Sequence, residues 1–285
     1  MKAFGNKFIK ISIIISILFL LFYLNSDRHL SLKFKISDTI INIFDNKFEY
    51  KHQLIAHAGG GIDNAQYTNS EEAVLLSIKN GFKLIELDLI ITRDNKLVAA
   101  NSWDLFRKYS KCCADTVPSL KEFNEIKILD KYTPLDSKKI NEIFFENKDL
   151  ILITDKIENY DLINNSFNFD KSRIIVEIFT RENYFKAIKK GIKNPLYSAT
   201  IQHRKDEKKF IKNHKIPMIS ISSSEFIKYK EYFTKLKKDL DIIIFVYTTN
   251  DPQLVKESEN SADAFYTDFI NISNMQCESN NCDTY

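Results

Sequence analysis

The sequence predicts an α/β protein, a (β/α)₈ TIM-type barrel preceded by an N-terminal transmembrane helix. Eight short runs rich in Ile, Leu, Val and aromatic residues alternate with helix-like stretches along most of the 285 residues, as repeated βα units do. Charged and polar residues gather at the C-terminal ends of those runs, where barrels carry their sites. A lysine-flanked apolar run stands at the extreme N-terminus. The competing architecture, an open doubly wound sheet, would carry G-x-G-x-x-G after its first strand, and His57-Ala58-Gly59-Gly60-Gly61 is not that turn.

Lys2, Lys7 and Lys10 precede Ile11 to Leu24. Extended back through Phe8, this run approaches the roughly 17–25 residues that cross a bilayer. The exit at Asn25-Ser26-Asp27-Arg28 lacks a small-residue cleavage site, which favours an uncleaved signal anchor over a signal peptide. With the lysines on the cytoplasmic side, the barrel is expected outside the cytoplasm, on the periplasmic or extracellular side. The expected division is an anchor over 1–28, a stalk or outer helix over 29–51, the barrel over 52–274 and a polar, cysteine-containing tail over 275–285.

The first strand is Gln53 to His57. A helix follows over Ser70 to Asn80, with Asn69 or Ser70 as cap and Gly81 beyond its end. Phe82 to Ile91 is the second strand and Lys96 to Ala100 a short apolar stretch, followed by an excursion carrying Cys112 and Cys113. Further strands are expected at Leu150 to Asp155, Arg173 to Phe179, Leu196 to Gln202, Pro217 to Ser222, Asp241 to Thr248 and Ala264 to Thr267. The net charge of +3 is too small to imply nucleic acid, and lysine pairs such as Lys189-Lys190 read as solvated helix faces. The four cysteines permit three pairings; a small loop closed by Cys277 and Cys282 suits an oxidising compartment, and a Cys-Cys pair lacks zinc-site spacing.

Several polar residues fall at predicted strand ends: His57, Glu86 and Asp88, Asp155, Glu177, His203 and Asp268. The spacing of two puts Glu86 and Asp88 on one face of their strand and turns Ile85, Leu87 and Leu89 toward the covering helices. Carboxylates in a barrel mouth are costly unless paired or bound to a cation. Two readings stay open: the acids pair with Lys156 or an arginine, or three of them hold a hard divalent cation, Mg²⁺ or Ca²⁺. Three successive glycines permit close backbone approach to a ligand.

Ile55 to Gly61, Tyr67-Thr68-Asn69-Ser70-Glu71-Glu72-Ala73, Gly81-Phe82 and Glu86-Leu87-Asp88 resemble the opening of a glycerophosphodiester phosphodiesterase domain. The likeness continues through Thr92 to Val98, Tyr132 to Leu135, Ile153-Thr154-Asp155, Val246 to Asp251 and Tyr266 to Ile270. The resemblance implies one divalent cation held by Glu86, Asp88 and Asp155, His57 as an acid/base catalyst, and Gly59, Gly60 and Trp103 against the substrate. It implies as partner a small-molecule or lipid-derived phosphodiester. It also implies a second histidine in a His-Asp pair ahead of a tryptophan. Aligning Leu97-Val98 and Trp103 puts Asn101 on that histidine and Ser102 on the aspartate. Losing one such proton catalyst slows turnover roughly 10²–10⁴-fold. The family's lysine lies two positions after the third acid, whereas Lys156 is adjacent to Asp155 and, by strand alternation, is expected on the opposite face. Three functions are therefore in contention: a metal-dependent phosphodiesterase at the cell envelope, a non-catalytic barrel that binds a phosphodiester and a cation, and a phospholipase-like lyase using His203 or Lys156 as proton donor.

Overall fold

A computed structural model describes residues 35–45, 53–113, 116–199, 204–280 and 282. Eight parallel strands form a closed barrel: β1 (Gln53–Ala56), β2 (Leu84–Ile91), β4 (Ile151–Asp155), β5 (Ile174–Ile178), β6 (Asn194–Ser198), β7 (Met218–Ser222), β8 (Ile243–Tyr247) and β9 (Ala264–Thr267). Closure comes from β1, which pairs in parallel with β9 on one side and β2 on the other. The short β3 (Leu97–Ala99) pairs antiparallel with the end of β2 and is not a barrel stave.

Alternation along each strand divides the apolar residues into two sets. Ile55, Leu84, Ile151, Ile153, Ile175, Leu196, Met218, Phe245, Ala264 and Tyr266 fill the barrel. Ile85, Leu87 and Leu89 belong to the outer core between sheet and helices, as their spacing requires. Helices such as Glu71–Lys79 and Arg181–Lys189 return the chain across that outer core. Ser70 caps the first of them, accepting from the Ala73 amide at 3.3 Å, so Asn69 is left for another task.

Residues 38–45, expected within a stalk or outer helix, form a helix that closes the base of the barrel. Ile36, Ile40 and Phe44, spaced at four residues, are buried against the barrel-filling side chains, and the Phe44 ring lies 5.3 Å from Phe245. Such a stripe stabilises a helix only when it is covered, and here the barrel floor covers it. The predicted anchor over 1–28 lies outside the described residues; among those described, no helix is long and apolar enough to cross a membrane. β6 starts at Asn194, earlier than its apolar run suggests, because the buried Asn194 amide donates to the carbonyls of Ser172 and Ile174 at 2.9 Å each. The cysteines form two disulfides, Cys112–Cys113 and Cys277–Cys282, which leaves no free thiol among the described residues for zinc.

Candidate active site

The site lies at the C-terminal mouth of the barrel, where β1, β2, β4 and β9 end side by side. β2 and β4 are in register with Asp88 opposite Asp155, so Glu86, Asp88 and Asp155 all reach the interior at the mouth. One oxygen from each lies within 4.8 Å of the others. Burial, and then the charges of Asp88 and Asp155, push the Glu86 carboxyl well above its ordinary range; the amide of Ala58, donating at 2.7 Å, acts in the opposite sense. Asp155 is likewise pushed up by burial and then by Asp88, and one of its buried oxygens has no hydrogen-bond partner. Three buried carboxylates with an orphaned oxygen are an unstable arrangement without a cation. Three oxygen donors of this kind fit one Mg²⁺ or Ca²⁺, which takes carboxylate and water ligands.

Asp88 is held from several sides. Asn69 donates to it from its amide nitrogen at 2.9 Å and accepts from the Asp88 backbone amide at 3.0 Å. Asn69 is fully buried with φ of 48°, a backbone state asparagine tolerates better than most residues. Asn101, the residue aligned with the second histidine, donates to both Asp88 oxygens at 3.2 and 3.3 Å. The Lys156 ammonium pairs with Asp88 and donates to the Asn101 carbonyl at 3.0 Å. This corrects the expectation that Lys156 faces away. β4 ends at Asp155, and Lys156 adopts a left-handed conformation with φ of 62°, which interrupts the strand alternation and returns its side chain to the mouth.

His57 follows β1 and opens a tight turn over residues 57–59. Its Nδ1 lies 2.9 Å from an oxygen of Asp268, just beyond β9. An ionised carboxylate only accepts, so the bond places the imidazole proton on Nδ1 and leaves Nε2 free to exchange one. Asp268 is fixed in turn by Asn250, whose amide donates to it at 3.3 Å while its carbonyl oxygen accepts from the backbone of Asp268 and Phe269 at 2.9 and 3.1 Å. Deeper in the barrel, Glu177 accepts from Ser220 at 2.6 Å and from Tyr266 at 3.2 Å, and burial raises its pKa.

The glycines at the mouth also have a packing role. Gly59 and Gly60 are buried with φ of 84° and 96°. A Cβ would stand 3.0 Å from Val74 at Gly59 and 2.2 Å from the Ser77 hydroxyl at Gly60. Their missing side chains let the turn pack on the Glu71–Lys79 helix. Trp103 begins the Trp103–Ser110 helix capped by Ser102. Its ring meets Phe106 and Phe123 edge-on at 5.8 and 6.2 Å, so part of it packs beneath the excursion. His203 lies outside the described residues.

No protein-family model and no curated protein matches the chain by sequence. Solved structures do match by shape. A phosphodiesterase of Oleispira antarctica, in complex with the product sn-glycerol-3-phosphate, superimposes with a TM-score of 0.63 at 16% identity, covering 76% of this chain and 92% of its own. A glycerophosphodiester phosphodiesterase of Thermotoga maritima gives 0.59 at 21% identity over 76% and 94% of the two chains. One from Parabacteroides distasonis gives 0.60 at 17% identity over 76% and 93%. The chain therefore has the barrel fold of the glycerophosphodiester phosphodiesterases.

Proposed function

We propose that the protein is a phosphoric diester hydrolase acting on a glycerophosphodiester or a related envelope phosphodiester with one divalent cation. The observation that carries this reading is the meeting of Glu86, Asp88 and Asp155 in one buried cluster, with an Asp268-oriented His57 at the same mouth. Similarity to the Oleispira antarctica structure, which holds sn-glycerol-3-phosphate, supports the same product here.

Glu86, Asp88 and Asp155 would hold the cation, which supplies charge to offset the phosphoryl oxygens as the transition state forms. Asn69 and the Ala58 amide keep two of those acids in place. His57 Nε2 accepts the proton of the attacking oxygen, from water or from a hydroxyl of the substrate itself, and Asp268 stabilises the imidazolium that results. Asn101 orients Asp88 but cannot protonate the leaving oxygen, so turnover is expected to be slow by roughly 10²–10⁴-fold relative to a site with two histidines. Trp103, beside Asn101 on the excursion, is the wall assigned to the substrate. The predicted anchor would hold this chemistry outside the cytoplasm against the membrane.

The test is hydrolysis of glycerophosphodiesters by residues 35–285 with Mg²⁺ or Ca²⁺, following release of sn-glycerol-3-phosphate. The reading expects cation-dependent product that His57→Ala abolishes. Product formation without cation, or undiminished in His57→Ala, overturns it. One observation favours the second reading, a phosphodiester-binding barrel: Asn101, at the position aligned with the second histidine, is an amide that exchanges no proton, whereas Lys156 on the same Asp88 is the titratable group that the lyase reading would use.

A further inference from the structure

Tyr67 stands out among the mouth residues for its backbone conformation. Its φ is 57°, a left-handed backbone that a bulky aromatic residue rarely adopts. Positive φ at Asp63, Asn64 and Asn69 along the same segment is easier to accommodate, since short polar side chains visit that region. Strain of this sort persists where the surroundings over-determine a residue's placement, and it clusters at ligand sites.

The placement is specific. The Tyr67 ring stands edge-on to the His57 imidazole with centroids 4.7 Å apart. The side chain is half-buried, and burial together with the nearby charges of Asp268, Asp88 and Glu86 pushes its hydroxyl up to about 12, so it remains a donor at physiological pH. Those three acids stand at the mouth, and the contact with His57 places the Tyr67 ring there with them. Other tyrosines around the barrel spend their hydroxyls within the fold: Tyr109 donates to the Gln66 carbonyl at 3.1 Å, Tyr132 to Asp63 at 2.6 Å and Tyr266 to Glu177. Among the described residues, the Tyr67 hydroxyl makes no hydrogen bond. A protonated, partly desolvated donor left open beside His57 matches the needs of an anionic phosphoryl oxygen.

We propose that Tyr67 is a substrate-contacting residue whose hydroxyl donates a hydrogen bond to a non-bridging oxygen of the phosphodiester. This rests on the phosphodiesterase reading above and assigns that site a donor. The hydroxyl adds to the ligand's charge a directed contact that Asn101, turned toward Asp88, does not offer. No bond is made or broken by Tyr67; its part is to bind and orient the phosphoryl group.

Tyr67→Phe keeps the ring, its contact with His57 and the backbone requirement while removing only the donor. The probe is sn-glycerol-3-phosphate, titrated calorimetrically into cation-saturated wild type and Tyr67→Phe, with cation affinity and thermal midpoint measured on both. A hydrogen bond to a charged group predicts about a 10- to 100-fold weaker Kd in Tyr67→Phe, with cation affinity and thermal midpoint unchanged. Equal affinity for the phosphate in the two proteins overturns the assignment while leaving the phosphodiesterase reading intact. No binding to wild type overturns both. Tyr67→Leu provides the complementary arm. Loss of the ring should additionally alter the pH dependence of hydrolysis through His57; if Tyr67→Phe reproduces that alteration with no change in phosphate affinity, Tyr67 only buttresses the histidine and the proposal fails.

Discussion

The acid cluster makes a quantitative prediction about cation binding that needs no substrate. One oxygen each from Glu86, Asp88 and Asp155 lies within 4.8 Å of the others. At that separation two unit charges repel by about 3.5 kcal/mol at an effective dielectric constant near 20. Lys156 compensates one charge through Asp88, and the pKa values of Glu86 and Asp155 are raised by burial first and then by the neighbouring carboxylates. A cation that binds only the folded state relieves the repulsion, and at 100 times its Kd it adds about 2.7 kcal/mol. At about 2–4 °C per kcal/mol for a domain of this size, the thermal midpoint should rise by roughly 5–11 °C. The assay is thermal unfolding of chelator-treated protein, residues 35–285, with and without Mg²⁺ or Ca²⁺. Asp155→Asn should behave oppositely on its two arms. Without cation it should melt above wild type, because a buried charge is gone; with cation most of the increment should be lost. An equal cation increment in wild type and Asp155→Asn would refute the assignment of the site, as would none in wild type at millimolar concentration.

Three further outcomes follow from the same contacts. Because folding raises the pKa values of Glu86 and Asp155, the stability they confer is complete below the ordinary carboxylate range and is lost as pH rises through the raised values. Cation-free protein should therefore melt lower at pH 8 than at pH 5, and saturating cation should flatten that slope; a midpoint rising with pH without cation would contradict the linkage. Gly61→Ala should lower the thermal midpoint by about 1–3 kcal/mol equivalent, since its Cβ would stand 2.1 Å from the Phe269 ring and 2.6 Å from the Asp268 carbonyl oxygen. Ile40→Ala, at the fully buried centre of the basal helix, should cost about 2–5 kcal/mol in denaturant unfolding while leaving cation affinity unchanged.

The residues that were legible in the sequence share a physical reason. Barrel strands buried on both faces read as continuous runs of β-branched and aliphatic residues, so polar residues at their ends stand out; that exposed Glu86, Asp88 and Asp155. What stayed hidden depended on partners distant in sequence. Asp268 lies 211 residues from His57, and although it falls at a strand end, nothing local marks it as the partner of that imidazole. Asn250 gave no signal beyond its place in a motif. The sequence offers Asn69 or Ser70 as the helix cap, since both side chains can cap; Ser70 takes that place, and the bond from Asn69 to Asp88 spans 19 residues. Lys156 was assigned to the wrong face because alternation holds only within a strand, and the chain leaves β4 one residue earlier. The three glycines mark close approach, and within the fold the groups close against them include Val74, Ser77 and Phe269. The basal helix was equally ambiguous: a stripe at Ile36, Ile40 and Phe44 says that something covers it, not that the barrel floor does.

The proposed phosphodiesterase activity turns on Asn101, which stands where the resemblance implies a second proton catalyst. Its most direct test is the rate of glycerophosphodiester hydrolysis by wild type and Asn101→His at saturating cation. Wild type should show slow, cation-dependent turnover, and Asn101→His should be about 10²–10⁴-fold faster. No hydrolysis by wild type, with hydrolysis restored only in Asn101→His, would contradict the proposed activity and make the native protein a binding barrel.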